Sequence, residues 1–497
     1  MRALVVGAAL LLAGCAATPE PVVPDAPDPP PPPASFVAPV APEPVTPDAK
    51  FREGPPAPGP AAPFVAPKVT EARLKNGVRV LLVERHELPL VSVRLVAAGG
   101  ASDAAPGVAD LASSLVLSGT KRRSAVEISD ALGALGARHA VFADDDACGV
   151  SLDVLAEKLP AALDVVGESI VAPTFPKDEL ERQRTRTLTF LTQAKDSAGR
   201  QLWYETLSTL YPAGHPYATP VVGTEAGVRA AKAGDLARFH ARSWTPDRVT
   251  VGVVGDVDRA TLLPLLERAL GGLAGRSGAP RPPVTPPAFG DKDARVVIVD
   301  RPGASQTNLQ VAGRGIARGT PDFEALLVMN TILGGSFSSR LNMNLREKHA
   351  YTYGASSRFD ARRGVGPFVA GGAIVRDATG KALKEIFAEL DRIRDEPVTA
   401  DELELAKSAI IERLPAQIET NAATASFLAS LPLYGLPLDE LDRRVARVRA
   451  VTREDVQRVA RRALDPRTMR VVMVGDHDKI AADVAALGLG ATRRVGK

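Results

Sequence analysis

Apolar residues along the chain follow two rhythms. Short β-branched runs such as 88–98 (LPLVSVRLVAA) and 249–256 (VTVGVVGD) have the length of buried strands. The first leads through Gly99 and Gly100 into a different pattern, in which Val108, Leu111, Ala112, Leu115 and Val116 keep the i, i+3, i+4, i+7, i+8 stripe of a packed helix. Asn76-Gly77 predicts a type I′ turn joining 72–74 to 78–83 as a hairpin.

The order of elements then repeats. Residues 235–246 (DLARFHARSWTP) and 249–258 (VTVGVVGDVD) are matched 220 positions later by 455–466 (DVQRVARRALDP) and 469–478 (MRVVMVGDHD). Each copy reads as a helix, a proline break and a strand ending in Gly-Asp. The starts correspond more loosely, with 306–312 (QTNLQVA) leading through Gly313 to a helix near 321–333. The Pro/Gly-rich stretch 277–290 has no apolar period and reads as a linker. The expectation is an α+β fold of two homologous αβ domains, 69–276 and 291–490.

Composition adds a front segment. The 497 residues are 45% hydrophobic and 24% charged, and 61 Lys+Arg against 58 Asp+Glu give a formal charge of +3. No basic run resembles a nucleic-acid arm, so no nucleic-acid partner is expected. Met1 and Arg2 precede an apolar run over 3–12, too short to span a bilayer, so residues 1–14 read as a signal peptide. The run ends Leu12-Ala13-Gly14-Cys15, which resembles a bacterial lipobox and implies lipidation of Cys15; the alternative is an ordinary leader with an incidental cysteine. Residues 15–68 form a Pro/Ala-rich tether, including the five prolines at 29–33. A lipoprotein anchored in the bacterial cell envelope follows, and Ala16 favours the outer membrane, facing the periplasm. Cys148 would have no disulfide partner.

Several local stretches then carry a resemblance. Gly107-Val-Ala, Ser118-Gly119-Thr120, 210–217 (LYPAGHPY), the two Gly-Asp strand ends and 345–353 (LREKHAYTY) occur in an order and spacing that resemble the pitrilysin/insulinase zinc peptidases, the inverzincins. The resemblance implies two homologous domains forming half of a clamshell. In active members the first helix carries H-x-x-E-H, two imidazoles one turn apart with a glutamate that activates water. Here those positions hold Asp110, Ser113 and Ser114, and the register of the third ligand falls on Phe190. No catalytic residues, no metal and no cofactor are therefore expected in this chain, because one carboxylate does not make a zinc site.

The remaining candidates read differently. The six histidines show no replacement motif, and His215 reads as structural within its His-Pro-Tyr turn. Asp144-Asp145-Asp146 lacks EF-hand spacing and reads as a solvated loop rather than a calcium site. Arg346 and Tyr353 match an Arg/Tyr pair that, in the resembling family, reaches toward the substrate backbone and the zinc-site intermediate. The plainer reading is an exposed helix arginine and a packed strand tyrosine. The turn 334–340 (GGSFSSR) resembles a loop bordering the substrate chamber, and a simple helix-linking turn is equally consistent.

Together these readings imply a catalytically inactive peptidase homologue, the non-catalytic subunit of a heterodimer with a zinc-bearing homologue, helping it to bind peptide or unfolded protein substrates. The alternatives are a non-enzymatic scaffold of the cell envelope and a peptidase with an unorthodox metal site.

Overall fold

The computed structural model describes residues 64–275, 281, 284 and 294–496. The leader, Cys15 and the proline-rich stretch up to residue 63 lie outside the described residues, as does all of 277–290 except Arg281 and Val284.

Two six-stranded sheets carry the α+β fold. The first is built from β1 (Thr70–Arg73), β2 (Arg79–Glu84), β3 (Leu90–Ala97), β4 (Arg138–Ala143), β5 (Cys148–Leu155) and β6 (Val249–Gly255), in the order β1-β2-β6-β3-β5-β4. The second uses β7 (Val296–Asp300), β8 (Gln306–Arg314), β9 (Thr352–Phe359), β10 (Pro367–Val375), β11 (Arg470–Gly475) and β12 (Thr492–Val495), in the order β12-β7-β11-β8-β10-β9. Five of the six positions match strand for strand, including the parallel pairs β2–β6 and β7–β11. The sequence repeat therefore marks equivalent central strands. β6 and β11 are buried along their whole length, which explains their continuous apolar runs. Each follows its predicted helix, Ala233–Ser243 or Arg453–Ala463, after the proline break.

The sheets differ at one edge. β1 pairs antiparallel to β2 from the start of the fold, whereas β12 pairs parallel to β7 from its far end. The β1–β2 connection also differs from the expected type I′ turn. That turn needs positive φ at both central residues, but only Gly77 has it, at +103°. Asn76 is instead drawn into the core edge, where its Nδ2 donates to the carbonyls of Leu270 at 2.9 Å and Leu273 at 3.3 Å. The result is a wider turn with Gly77 as its left-handed residue.

Each half lends a helix to the other's sheet. In the helix Ala198–Leu210, Leu202 packs against Val299, Val472 and Val474 of the second sheet, and Thr206 Oγ1 donates to Gln310 Oε1 at 3.0 Å. In the helix Asn421–Ser430, Ala425 and Leu428 pack against Leu81, Val83 and Val254 of the first. Gly252, midway along β6, permits this approach: a Cβ there would lie 2.4 Å from the Ala425 carbonyl oxygen. Among the described residues no helix is long and apolar enough to cross a membrane.

Equivalent hairpin tips of the two sheets meet, and this overturns the solvated-loop reading for Asp145 and Asp146, while Asp144 stays exposed. Asp146 is 2% exposed; it accepts from Tyr217 Oη at 3.0 Å and from the Arg363 backbone N–H at 2.6 Å. Arg362 Nη1 lies 3.0 Å from Asp145, and its guanidinium stands 4.7 Å over the Tyr217 ring. Arg281 Nε donates to Asp103 at 3.2 Å, and Arg281 also reaches within 4.0 Å of Asp146. The tip of β4–β5 is acidic and the tip of β9–β10 is basic, so each buried charge finds its counter-charge across the contact. Burial pushes Asp145 up to about 7, even though Arg362 pulls it the other way. His215 is structural: its ring stacks on Tyr211 at 4.6 Å and its Nδ1 accepts from the Tyr217 N–H at 3.1 Å.

Candidate functional site

The helix Val108–Ser114 begins after Gly107, whose φ of +85° lets the chain turn sharply from Pro106. Val108, Ala109, Leu111 and Ala112 are buried, as the apolar stripe predicts. Ser113 is buried as well, next to Cys148, a free thiol that burial pushes up to about 12. Asp110 and Ser114 are half-buried on the remaining face.

Phe190, on the helix Lys177–Ala194, does not face a metal-binding group. The Arg200 guanidinium lies 4.5 Å over its ring. Arg200 belongs to the next helix, Ala198–Leu210, and one turn along it Tyr204 lies within electrostatic reach of both Arg200 and Asp110. The four positions thus present one carboxylate, two hydroxyls and a phenyl ring capped by a cation. Among the described residues no group of three or more His, Cys, Asp or Glu is placed so that it could hold a metal ion. These residues do not fit zinc, which takes three or four nitrogen, sulfur or oxygen ligands.

Asp110 is the remnant with a measurable consequence. It has no hydrogen-bond or ion-pair partner among the described residues, and burial pushes its pKa up to about 6. A carboxyl whose folded pKa is raised favours the fold most below its unfolded pKa, and that advantage is lost as pH rises through the folded value. Between about pH 4 and pH 6 the wild type should therefore lose up to about 3 kcal/mol that Asp110→Asn keeps. Denaturant unfolding of both proteins at several pH values measures this. The gap should widen with pH, and a constant gap would contradict it.

The second half is built around two π-helical turns, a geometry common at functional sites. The helix Phe323–Asn330 runs into the first, Thr331–Gly335; the second, Met343–Lys348, leads into β9. Side-chain amides fix the loop between them. Asn330 Nδ2 donates to the Ser357 carbonyl at 3.1 Å, and Asn342 Nδ2 donates to the Phe337 carbonyl at 2.7 Å. Arg340 forks onto Glu402 at 2.6 and 2.8 Å, which draws that carboxyl down to about 2. Gly334 is required here, since a Cβ would lie 2.3 Å from the Ser357 backbone nitrogen. After the second π turn the chain reverses at Ala350, a left-handed alanine with φ of +52°, a strained conformation held by its surroundings.

This scaffold brings Arg346 and Tyr353 together. The Arg346 guanidinium lies 4.9 Å from the Tyr353 ring centroid and 4.8 Å from that of Phe337, and its Nε is 3.3 Å from Glu347. Tyr353 is 87% exposed, which rules out a tyrosine packed for area. The loop 334–340 joins helical segments and also delivers Phe337 to the stack. Phe337 escaped the sequence reading; an aromatic flanked by serines in a glycine-led loop was the available signal. Among the described residues no hydrogen bond, ion pair or ring contact ties this stack to Asp110.

Comparison with known proteins agrees with this architecture. A family described as insulinase (peptidase family M16) matches residues 79–225, and one described as the peptidase M16 inactive domain matches 230–410. An uncharacterised zinc protease of Mycobacterium tuberculosis is 27% identical over 371 residues, 75% of this chain and 84% of its own length. The crystal structure of a peptidase M16 inactive domain from Pseudomonas fluorescens superposes with a TM-score of 0.75 at 28% identity, over 82% of this chain and 98% of that one. A protease from Helicobacter pylori shares the fold, with a TM-score of 0.74 at 21% identity, over 82% of this chain and 100% of that one. With both halves matched in order, the chain belongs to the insulinase (M16) family of peptidases.

Proposed function

We propose that this chain is a non-catalytic M16 subunit that binds extended peptide and supports hydrolysis by a zinc-bearing homologue. The observation that carries the reading is the contrast between the two halves. The positions for zinc chemistry hold Asp110, Ser113, Ser114 and a cation-capped Phe190, while a half-buried Arg346 stands over an exposed Tyr353. A guanidinium and a phenol are donors suited to a peptide carbonyl and to an oxyanion developing on it. Such donors act only where a second active site supplies the attacking water. The chain needs no cofactor of its own in this reading, and zinc resides in the partner.

In the same proposal Cys15 is the lipid anchor, and the subunit works in the cell envelope, at the outer membrane facing the periplasm. Two or more acyl chains give stable anchoring, at about 0.8 kcal/mol per buried methylene. The mature chain purified from its membrane tests the enzymatic half. It should contain less than about 0.1 zinc per chain and leave unfolded peptides intact while binding them. Stoichiometric zinc with cleavage of those peptides would revive the unorthodox peptidase. Affinity capture from the envelope should recover a zinc peptidase; capture of envelope-assembly proteins without one would favour the scaffold.

A further inference from the structure

A cavity of about 230 Å³ lies between the loop that carries Phe337 and the helix Ala400–Glu412. Ile332, Ala406 and Ala409 line it with small apolar surface. Two large apolar side chains stand in water at its wall, Phe337 at 63% exposure and Leu405 at 57%. Glu402 also borders the cavity, but Arg340 occupies both of its oxygens. The Thr331 and Ser336 hydroxyls donate to the carbonyls of Leu327 and Thr331, so apart from Ser338 and Arg413 the recess offers apolar surface with an exposed apolar mouth.

Phe337 belongs to two features at once. It lines this cavity, and its ring lies 4.8 Å from the Arg346 guanidinium, which in turn stands over Tyr353. Anything held by Arg346 and Tyr353 thus runs past the mouth of the cavity. Its volume falls below the range of about 300–1,000 Å³ typical of whole small-molecule sites, and suits a single side chain. Arg413 lines the cavity and Arg346, paired with Glu347, stands beside Phe337 at its wall; these guanidiniums disfavour a lysine or arginine side chain there.

We infer that this cavity is a specificity subsite that takes one leucine- or phenylalanine-sized side chain of an extended peptide held by Arg346 and Tyr353. The subsite rests on the peptide-binding reading above and adds the side-chain class that it selects. Burying one such side chain should raise affinity about tenfold to a hundredfold over a polar counterpart.

The test is fluorescence anisotropy of the mature chain with labelled extended peptides that differ at one position, carrying leucine, serine or lysine. The leucine peptide should bind at least tenfold tighter than the other two. Leu405→Ser, at an exposed position, and Ala409→Trp, which fills the recess, should each abolish that preference while leaving the serine peptide's affinity within twofold. Equal binding of the three peptides to the wild type would overturn the subsite alone, as would a preference that survives Ala409→Trp. No binding of any peptide would overturn the peptide reading and the subsite with it.

Discussion

Asp146→Ala is expected to lower the stability of the folded chain by about 3–5 kcal/mol, the usual cost of removing one member of a buried charged cluster. The carboxylate accepts from Tyr217 Oη and the Arg363 N–H, and it lies within 4.0 Å of Arg281. Its loss leaves a buried phenol and a buried guanidinium short of an acceptor, in a place water does not easily reach. Asp146→Asn keeps an acceptor oxygen for one of the two bonds and should cost clearly less. Urea unfolding measures both. A loss below about 1 kcal/mol for the alanine variant would mean that the hairpin tips do not hold the halves together.

Gly252→Val is expected to cost about 3 kcal/mol, the upper end of the usual penalty for overpacking a core. Valine suits a strand better than glycine, so propensity alone predicts a gain. The steric term has the opposite sign and is larger, because the new Cβ would sit 2.4 Å from the Ala425 carbonyl oxygen, a backbone atom that moves only with its helix. Since that helix belongs to the second half and β6 to the first, the damage should reach both. Hydrogen exchange should show lost protection in β6 and in Asn421–Ser430 together. Faster exchange in β6 alone would contradict the exchanged-helix packing.

The sequence made the central strands legible because they are buried on both faces and therefore apolar without interruption. Residues 249–256 and 469–476 announce β6 and β11 in this way, and their helices carry clear apolar stripes. The lent helices were not legible. Leu202 and Ala425 look like ordinary core residues of their own halves, and nothing in a local pattern says which sheet an apolar face will cover. The β1–β2 pairing was readable as a local hairpin, whereas the β12 edge was hidden, since its pairing with β7 joins segments almost two hundred residues apart.

Charge was misread where burial depends on a distant segment. Asp144-Asp145-Asp146 has the composition of a solvated loop, and only the approach of Arg362 and Arg363, more than two hundred residues later, covers Asp145 and Asp146. Asn76 was misread because its Nδ2 donates to Leu270 and Leu273, while its Oδ1 accepts from the Val78 N–H at 3.2 Å and widens the turn. At the candidate site, the pairing of Arg346 with Tyr353 was readable from the motif. Phe337 and the cavity beside it depend on the π-helical turns, which leave no periodic signature in so short a stretch.

The proposed division of labour, in which this chain offers Arg346 and Tyr353 and a homologue supplies zinc, is tested most directly by reconstitution. The zinc-bearing homologue from the same envelope is assayed on an unfolded peptide alone, with this chain, and with its Arg346→Ala variant. Adding the wild-type chain should raise kcat/KM at least tenfold, and Arg346→Ala should lose most of that gain, since one oxyanion donor is worth about a hundredfold or more in rate. Hydrolysis that is unchanged by the chain, or supported equally by Arg346→Ala, would contradict it.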